Sequence, residues 1–514
     1  MMSHWIILPV LLPALLAPIL GFVMRHDLTM ARIASVAGTV ALVAIAVGLT
    51  VAAAGGETQV YELGNWPAPF GIVLVLDRLS AILVLLTMGL GLLVLIHAIA
   101  TGWDARGRHF HALFQFQLMG IAGAFLTGDV FNLFVFFEVL LIASYGLMIH
   151  GGGKERMRAG LQYVVINLAG STLFLFALGV LYSSVGTLNM ADIALRLQEA
   201  DPEEAGLIRV AAMLLMIVFA VKAALFPVQF WLPATYANAP APVAALFAIM
   251  TKVGAYSIIR VHTVSFGPGL EATQDIPGTW LFPAAIITIA IGALGVLGAR
   301  HLLPLISFSV VGSMGTLMIA VAALTPQATA AALYYLLHST LAAAALFLLA
   351  DLVLSRRDGQ ALSPRPAMAQ TGLLAALFFG GAIAMTGMPP LSGFLGKLLV
   401  LDALRMPGQI GWAWSAVLVG SLVTIVGFAR AGSMIFWKTT EAEDDTAPEG
   451  EEAPPPETPR LSVAELAPTM LLLAILGGMS VFAGPVMTYA EDATAQIYDR
   501  DGYIASVLGP QEEG

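Results

Sequence analysis

The stretch MLLMIVFAVKAALFP, residues 213–227, holds a single charge, Lys222, in an apolar run that ends at Pro227. The segment PVAALFAIMTKVGAYSII, residues 242–259, repeats the pattern with Lys252 near its centre. An ionisable group at bilayer depth costs at least about 2.5–3.5 kcal/mol on insertion scales, and such groups usually face a protein interior or a wet cavity. These two stretches therefore predict a membrane-embedded protein that conducts charge.

Two further apolar runs and one histidine extend this pattern. PPLSGFLGKLLVLDAL, residues 389–404, contains Lys397, and FNLFVFFEVLLIASYGLMI, residues 131–149, contains Glu138. His338 lies in ALYYLLHSTLAAAALFLLAD. Imidazole titrates near physiological pH and has two nitrogens, so His338 is a candidate proton relay, although a hydrogen-bonded core histidine has the same sequence pattern.

Glu138 is the expected acidic partner of Lys222, because both lie at similar depth on different helices. Burial disfavours the charged form of an amine and a nearby carboxylate favours it, so a lysine under both influences can load and release a proton. The alternative is a static buried ion pair that fixes helix packing. Lys252 and Lys397 lack an obvious acidic partner in their own helices; Asp402 follows Lys397 at i+5, off the same-face spacing of three or four residues.

The composition excludes a soluble protein and most enzyme classes. Of 514 residues, 59% are hydrophobic and 11% are charged, and the mean hydropathy is +0.87. The absence of cysteine rules out disulfides, cysteine-ligated iron–sulfur clusters and cysteine zinc sites. There is no Walker A, HExxH or Rossmann motif and no basic stripe that would indicate nucleic acid. We therefore expect a transporter without a cofactor or metal site, whose energy comes from an ion gradient or a partner.

Hydropathy predicts an all-α integral membrane protein of about fourteen transmembrane helices. The predicted spans are 4–23, 30–54, 72–99, 109–127, 129–150, 161–186, 207–226, 240–262, 280–298, 302–323, 328–353, 371–404, 411–437 and 462–488. Lys and Arg in the intervening loops divide thirteen to five between the two sides. Positive residues collect on the cytoplasmic side, so both termini are expected on the outer, periplasmic side.

The seventh and twelfth predicted helices are interrupted in comparable places, at Pro227 and at Pro389–Pro390. Paired broken helices in two halves indicate a transport site and inverted repeats, here helices four to eight and nine to thirteen. The acidic, proline-rich stretch between the last two helices predicts a solvated cytoplasmic linker. The predicted units are 1–108 (helices one to three), 109–262 (first repeat), 280–437 (second repeat), 438–461 (linker) and 462–514 (helix fourteen and tail).

Two other acidic residues have simpler explanations. Asp129, in LTGDVFN, stands at a helix start, where N-capping accounts for it. Asp77, in VLDRLSAILVLL, is expected to form a local or interhelical ion pair near the outer surface.

Three phrases resemble the proton-translocating antiporter-like membrane subunits, a family that includes three membrane-arm subunits of respiratory complex I, related hydrogenase subunits and the large subunits of Mrp-type cation/proton antiporters. They are TGDVFNLFVFFEVLLIASYGLM, VKAALFPVQFWLPATYANAPAPVAALFAIMTKVGAYSIIRV and GMPPLSGFLGKLLVL. The phrases GDVFNLFVFFEVLLIASY and ALFPVQFWLPATYANAPAPVAALFA are most similar to the D-type subunit of Mrp antiporters.

The resemblance implies roles for five residues of a proton path. Glu138 would modulate Lys222, Lys252 would be the basic residue at the middle of the membrane, His338 would be a relay, and Lys397 would be the terminal residue. Several relatives carry a lysine shortly after that histidine, where this chain reads STLAAAALF. The relay across the middle would therefore depend more on water and His338.

The resemblance also implies an assembly in the bacterial inner membrane, with the Mrp subunits A and B, C, E, F and G as partners. Its task would be translocation of H⁺ along the Glu/Lys/His path, coupled to the export of Na⁺ or K⁺. The alternative is a proton-pumping subunit of a complex I-like or hydrogenase assembly, and a non-transporting scaffold is the third possibility.

Overall fold

The computed structural model describes residues 3–199, 205–357, 359–406, 408–438 and 460–509. The first helices are α1 (Leu8–Pro18), α2 (Leu28–Ala53), α3 (Arg78–Ala100), α4 (Phe110–Leu126), α5 (Val130–Met148), α6 (Lys154–Val185) and α7 (Met190–Arg196). Then follow α8 (Ala205–Lys222), α9 (Trp231–Asn238), α10 (Ala241–Phe247), α11 (Met250–Arg260), α12 (Phe282–Gly298), α13 (Leu302–Ala323) and α14 (Pro326–Leu354). The last are α15 (Thr371–Thr386), α16 (Ser392–Ala403), α17 (Ile410–Gly432), α18 (Val463–Val481), α19 (Ala483–Tyr498) and α20 (Arg500–Leu508).

The described chain is mostly helical rather than all-α, because β1 (Gln59–Glu62) and β2 (Val73–Leu76) form a small antiparallel sheet. Eleven of its helical segments are long and apolar enough to cross a membrane. They are Leu28–Ala53, Arg78–Ala100, Val130–Met148, Lys154–Val185, Ala205–Lys222, Ala241–Ser265, Pro277–Gly298, Leu302–Ala323, Pro326–Leu354, Ile410–Trp437 and Val463–Val481. Three shorter apolar helices, Leu8–Val23, Phe110–Leu126 and Thr371–Thr386, accompany them. The acidic linker predicted at 438–461 lies almost entirely outside the described residues.

Two segments form the centre of the bundle. The apolar windows of Ala241–Ser265 and Pro326–Leu354 are completely buried, whereas 28% of the window in Leu28–Ala53 and 22% of that in Ile410–Trp437 are buried. Alanine-rich sequence explains the central position of α14, because small side chains let neighbouring helices approach closely. Lys252 and His338 lie on these two central segments and are therefore shielded from lipid by the chain itself.

Both proline-marked helices are interrupted, and side chains satisfy the backbone groups exposed at the first break. α8 ends at Lys222, four residues earlier than the predicted 226, because proline removes a backbone donor and clashes with the preceding turn. Nε1 of Trp231 donates to the carbonyl of Val221 at 3.0 Å, and Oγ1 of Thr288 accepts from the amide of Phe226 at 2.9 Å. The chain can therefore leave helical geometry inside the bundle without unpaired backbone groups at these positions.

Candidate functional site

Glu138 and Lys222 are connected through one face of α6. Oγ of Ser171 donates to Oε1 of Glu138, and Nζ of Lys222 donates to Oδ1 of Asn167 at 3.2 Å. Asn167 and Ser171 are four residues apart, so they project from the same face of the helix one turn apart. The lysine and the carboxylate are thus linked by two neutral side chains instead of a direct ion pair among the described residues.

The orientation of Asn167 follows from a second hydrogen bond. Its Nδ2 donates to the backbone carbonyl of Tyr163 at 2.9 Å, which leaves Oδ1 to face the lysine. Nζ of Lys222 also lies 5.6 Å from the ring centroid of Phe137, the residue before Glu138. An ammonium over an aromatic face is attracted by the ring quadrupole. The environment of Lys222 therefore accommodates the charged amine without a carboxylate in contact.

Lys252 lies on α11, which approaches the end of α8 at Gly254. A Cβ at Gly254 would lie 2.7 Å from the amide nitrogen of Ala223 and 2.8 Å from the carbonyl oxygen of Phe219, so only glycine permits this packing. Lys252 itself is fully buried, and its Nζ has no hydrogen-bond partner among the described residues. A buried amine without partners favours its neutral form or an interaction with water.

His338 contacts the second helix break. Its Nδ1 lies 2.9 Å from Oγ of Ser392, the first residue of α16. A Cβ at Gly393 would approach Nε2 of His338 to 2.9 Å and would collide with the carbonyl of Ala384, so glycine admits the imidazole to the break. The side chain is buried.

Lys397 is held by neutral acceptors. Its Nζ donates to the carbonyl of Thr386 and to Oγ of Ser421, each at 2.7 Å. The Thr386 carbonyl is left free by the end of α15, so the lysine satisfies a backbone group of the break that precedes it. Asp402, considered above as a partner for Lys397, instead pairs with Arg405 at 2.6 Å, because the i+3 spacing brings those two side chains together.

A small polar cavity adjoins Lys397. Its volume is about 20 Å³, enough for roughly one water molecule. Hydroxyl-bearing side chains dominate its lining: Ser309, Ser313, Thr316, Tyr335, Ser421 and Thr424. Oγ of Ser313 has no partner among the described residues. A single water there would join the lysine to the hydroxyls of α13 and α17.

The structure thus brings the five predicted residues into one series of packed helices. Their order is Glu138 on α5, Lys222 on α8, Lys252 on α11, His338 on α14 and Lys397 on α16. Sequence reasoning missed the neutral residues between them: Asn167, Ser171, Ser392 and Ser421. The polar pair at i and i+4 within apolar α6 was the available signal for the first two. The two serines carry no comparable pattern.

Asp77 and Asp129 occupy the predicted structural positions. Asp77 pairs with buried Arg260 at 2.8 Å and caps α3, and Asp129 accepts from the amide of Asn132 at the start of α5. Burial alone would raise the pKa of Asp77, but the charge of Arg260 and the hydrogen bonds hold it below its usual value. Burial raises the pKa of Asp129 to about 6. Arg260, near the end of the predicted span 240–262, is therefore a buried interhelical residue.

Comparison with known proteins identifies consistent relatives. The sequence profile of the family described as "NADH:quinone oxidoreductase/Mrp antiporter, TM" matches residues 127–424. The D-type subunit of a probable K⁺/H⁺ antiporter from Rhizobium meliloti is 39% identical, over 96% of this chain and 95% of that protein. The D-type subunit of the Na⁺/H⁺ antiporter from Bacillus subtilis is 36% identical, over 99% of this chain and its whole length (100%).

A solved structure agrees with these relatives. A chain in the structure of the Mrp complex from Dietzia sp. DQ12-45-1b superposes with a TM-score of 0.86 at 29% sequence identity. The alignment covers 98% of this chain and 100% of that one.

Proposed function

Because the chain belongs to the NADH:quinone oxidoreductase/Mrp antiporter transmembrane family, we propose that it is the proton-translocating subunit of a multisubunit Na⁺(K⁺)/H⁺ antiporter. It works as a multi-pass membrane protein with other subunits, as the D-type antiporter relatives and the Mrp complex indicate. H⁺ would move along the series of buried ionisable residues, and the movement would be coupled to efflux of a monovalent cation.

One observation carries this proposal: Lys252 and His338, both titratable, lie on the fully buried central helices. Burying ionisable groups is expensive in the middle of a membrane protein, and such groups mark ion paths by default. Each neighbouring lysine adjoins a helix break, where backbone and water can rearrange at modest cost. A scaffold needs neither feature.

The proposed sequence of events begins at Glu138. Its carboxylate would strengthen the positive charge of Lys222 through Ser171 and Asn167 and weaken it on moving away. A proton released by Lys222 would pass to Lys252, to His338 and then to Lys397, with water between the side chains. The cavity beside Lys397 would hold the last such water before release.

The finer architecture belongs to the same proposal. We infer fourteen membrane crossings, formed by the eleven long spans and the three shorter apolar helices. The units 109–262 and 280–437 would be inverted repeats, each with one interrupted helix, and both termini would face the periplasm. The Mrp subunits A and B, C, E, F and G would complete the complex.

The test is antiport by the purified complex in vesicles, with Na⁺, K⁺ and Li⁺ as the cation. Lys222→Ala and Glu138→Ala are expected to lower antiport by a factor on the order of 100 while the complex still assembles. Arg405 lies just after α16 and forms an exposed ion pair with Asp402, so Arg405→Ala is the matched control and should transport normally. Full antiport by either site variant would contradict the proposal.

The family description also includes quinone oxidoreductases, so a redox-driven pump subunit is the second candidate. Neighbouring genes separate the two: small antiporter-type subunits support the first, and quinone-module or nickel–iron hydrogenase genes support the second.

A further inference from the structure

A second group of titratable side chains lies at the end of the bundle that carries Arg106, Lys154 and Arg156, which we call the basic end. His97 in the last turn of α3 and Asp351 in the last turn of α14 meet there. Nε2 of His97 lies 3.0 Å from Oδ2 of Asp351. The site is separate from the Glu138–Lys397 series, and nothing in the proposed path uses it.

Trp103 fixes the carboxylate. Its indole Nε1 donates to Oδ1 and Oδ2 of Asp351 at 2.9 and 3.0 Å. Arg106 stacks on the same indole, with its guanidinium carbon 3.7 Å from the ring centroid. Both carboxylate oxygens therefore have a neutral donor, and one also faces the imidazole.

The carboxylate faces an open cavity, whereas the imidazole lies behind it. The cavity has a volume of about 530 Å³ and is lined by Asp351 together with the exposed side chains of Arg106, Lys154 and Glu155. The side chain of Asp351 is 11% exposed and that of His97 is 0% exposed. A proton from water in the cavity would therefore reach Asp351 before His97.

His97 also has the two faces that a relay needs. Its Nε2 is engaged with Asp351, and its Nδ1 is buried with no hydrogen-bond partner among the described residues. A proton that enters at one nitrogen of an imidazole can leave from the other. The unpartnered nitrogen points into the protein, where only an incoming water or a neighbouring group could take the proton.

A nearby pair of the same chemistry shows what is special about Asp351. Nε2 of His111 lies 3.2 Å from Asp104, but Arg32 also holds that carboxylate at 2.6 and 2.9 Å. Burial alone would raise the pKa of Asp104, yet the hydrogen bonds from His111 and Arg32 hold it below its usual value. Asp104 is thus fixed as an anion. Asp351 has no ion pair with a Lys or Arg among the described residues, and its carboxylate contacts the imidazole of His97 and the indole of Trp103 instead.

The remaining charged groups near Asp351 are engaged elsewhere or exposed. Arg156 donates to the backbone carbonyls of Asn238 and His150, and Arg356 pairs with Glu465 of α18. Lys154, Glu155 and Arg106 surround the cavity mouth. Burial lowers the pKa of His150, whose Nε2 contacts the carbonyl of Trp103 at 2.8 Å. Seven titratable or charged side chains of this end thus have contacts with groups other than Asp351: Arg32, Asp104, His111, His150, Arg156, Arg356 and Glu465.

We propose that His97 and Asp351 form the site at which a proton is loaded from the basic end; this inference rests on the proposed function. The carboxylate accepts H⁺ from water in the cavity and transfers it across the hydrogen bond to Nε2 of His97. The imidazolium then releases H⁺ from Nδ1 toward the interior, and a tautomer change restores the starting pair. The starting imidazole is the Nδ1–H tautomer, so that Nε2 can accept the proton, and release from Nδ1 leaves the Nε2–H tautomer. The return to Nδ1–H moves one proton between the two ring nitrogens, so one proton enters and one leaves in each cycle.

We expect the loaded proton to move toward His338. Asp351 and His338 lie on the same fully buried helix, thirteen residues apart. At 1.5 Å per residue this is roughly 20 Å along the axis. The intervening turns contain four consecutive alanines, 342–345, and all four are buried.

The experiment uses the whole reconstituted complex and measures antiport against pH. Asp351→Asn keeps an acceptor for Trp103 but cannot take up a proton, and His97→Gln keeps a group that can hydrogen-bond Asp351. Each is expected to reduce antiport about tenfold at alkaline pH and less at acid pH, because proton uptake limits the rate when protons are scarce. His111→Gln is the matched control and should leave the pH profile unchanged.

A second readout is independent of transport. Infrared difference spectra of the wild-type complex between acid and alkaline pH are expected to contain the carbonyl band of a protonated carboxylic acid that Asp351→Asn removes. If Asp351→Asn fails to assemble, Asp351→Glu and His97→Gln decide the question: the first should retain the wild-type profile and the second should not. An unchanged pH profile in His97→Gln, while Lys252→Ala stops transport, overturns the loading site alone. Normal transport by Lys252→Ala overturns the proposed function itself.

Discussion

The two helix breaks use the same elements in opposite order. At the first break Lys222 is the last residue of α8 and precedes the interruption. At the second break Lys397 lies within α16, five residues after that helix begins at Ser392. Lys222 is linked through α6 to a carboxylate, whereas Lys397 is bound by a backbone carbonyl and a hydroxyl.

Because of this difference in contacts, we expect Lys222 and Lys397 to behave differently. A carboxylate near Lys222 can change the charge preference of the amine when it moves. The carbonyl of Thr386 and the hydroxyl of Ser421 are neutral, so Lys397 has no comparable control in contact with it among the described residues. In the proposed path the first break would switch a proton and the second would receive it.

The largest effect should come from replacing either lysine by arginine. Lys222→Arg and Lys397→Arg keep the positive charge, but guanidinium does not release its proton in proteins. We expect antiport to fall by a factor on the order of 100 in both cases, with assembly measured by subunit co-purification. Substantial antiport by Lys397→Arg alone would mean that the second break needs only a charge.

Removing the carboxylate of Glu138 should show whether the two helix breaks differ in function. Glu138→Gln is expected to lower antiport by about 10- to 100-fold, because Lys222 loses the group that tunes it. Asp402→Asn, near Lys397 in sequence but paired with Arg405, is the control and should have normal antiport in the same vesicles. Equal losses in the two variants would erase the distinction between the breaks.

Removing the contact between Ser171 of α6 and Glu138 should have a smaller effect on antiport. Ser171→Ala removes the donor to Glu138 without touching Lys222, and the lost charge-assisted hydrogen bond is worth about 1.5–3 kcal/mol. We expect an intermediate loss of antiport together with a shifted pH profile. Thr172→Ala is the control on the same helix, since its exposed hydroxyl donates to the carbonyl of Leu168.

Replacing Gly393 by alanine tests the packing of the second break without changing any charge. Gly393→Ala would place a methyl group against the carbonyl of Ala384 and 2.9 Å from Nε2 of His338. Overpacking of this kind costs about 1–3 kcal/mol, so we expect a lower thermal stability and weaker antiport. At Gly380 the nearest atom to an added Cβ is 3.9 Å away, and Gly380→Ala should be neutral in both assays.

The smallest effect concerns the other carboxylate associated with α5. Burial raises the pKa of Asp129 to about 6, above its usual value. Ionising Asp129 therefore opposes folding. This penalty is absent when the pH is below the usual pKa of an aspartate, and it is complete when the pH is above the raised pKa of about 6. Asp129→Asn keeps the helix cap. Above pH 6 it should increase the free energy of unfolding by on the order of 1–3 kcal/mol and so raise the unfolding temperature. At pH 4 it should change neither. Unchanged antiport would show that only Glu138 is the functional carboxylate of this helix.

Much of the architecture could be predicted because hydropathy and proline act locally. The runs around Lys222 and Lys397 indicated membrane spans with charges inside, and Pro227 and Pro389–Pro390 indicated the interruptions. The family expected from the sequence is the family to which the chain belongs. The roles of the five residues remain predictions that the experiments above address.

Pairing between helices was much less predictable. Asp402 is the nearest acid to Lys397 along the chain, yet it pairs with Arg405. Arg260 follows a hydrophobic run near the end of a predicted span, and nothing next to it in sequence indicates that it is buried against Asp77. Neither outcome depends on the residues adjacent in sequence.

The sequence by itself determined that this chain enters a bilayer, where its helices are interrupted and which of them carry charge. Those properties follow from the transfer energy of each side chain and from the backbone limits of proline, which extend over a turn or two. Only the tertiary structure decided that Asn167 and Ser171 stand between Lys222 and Glu138, and that Asp351 meets His97 instead of an arginine. Such contacts depend on which faces of distant helices oppose one another, and packing of the whole bundle fixes those faces.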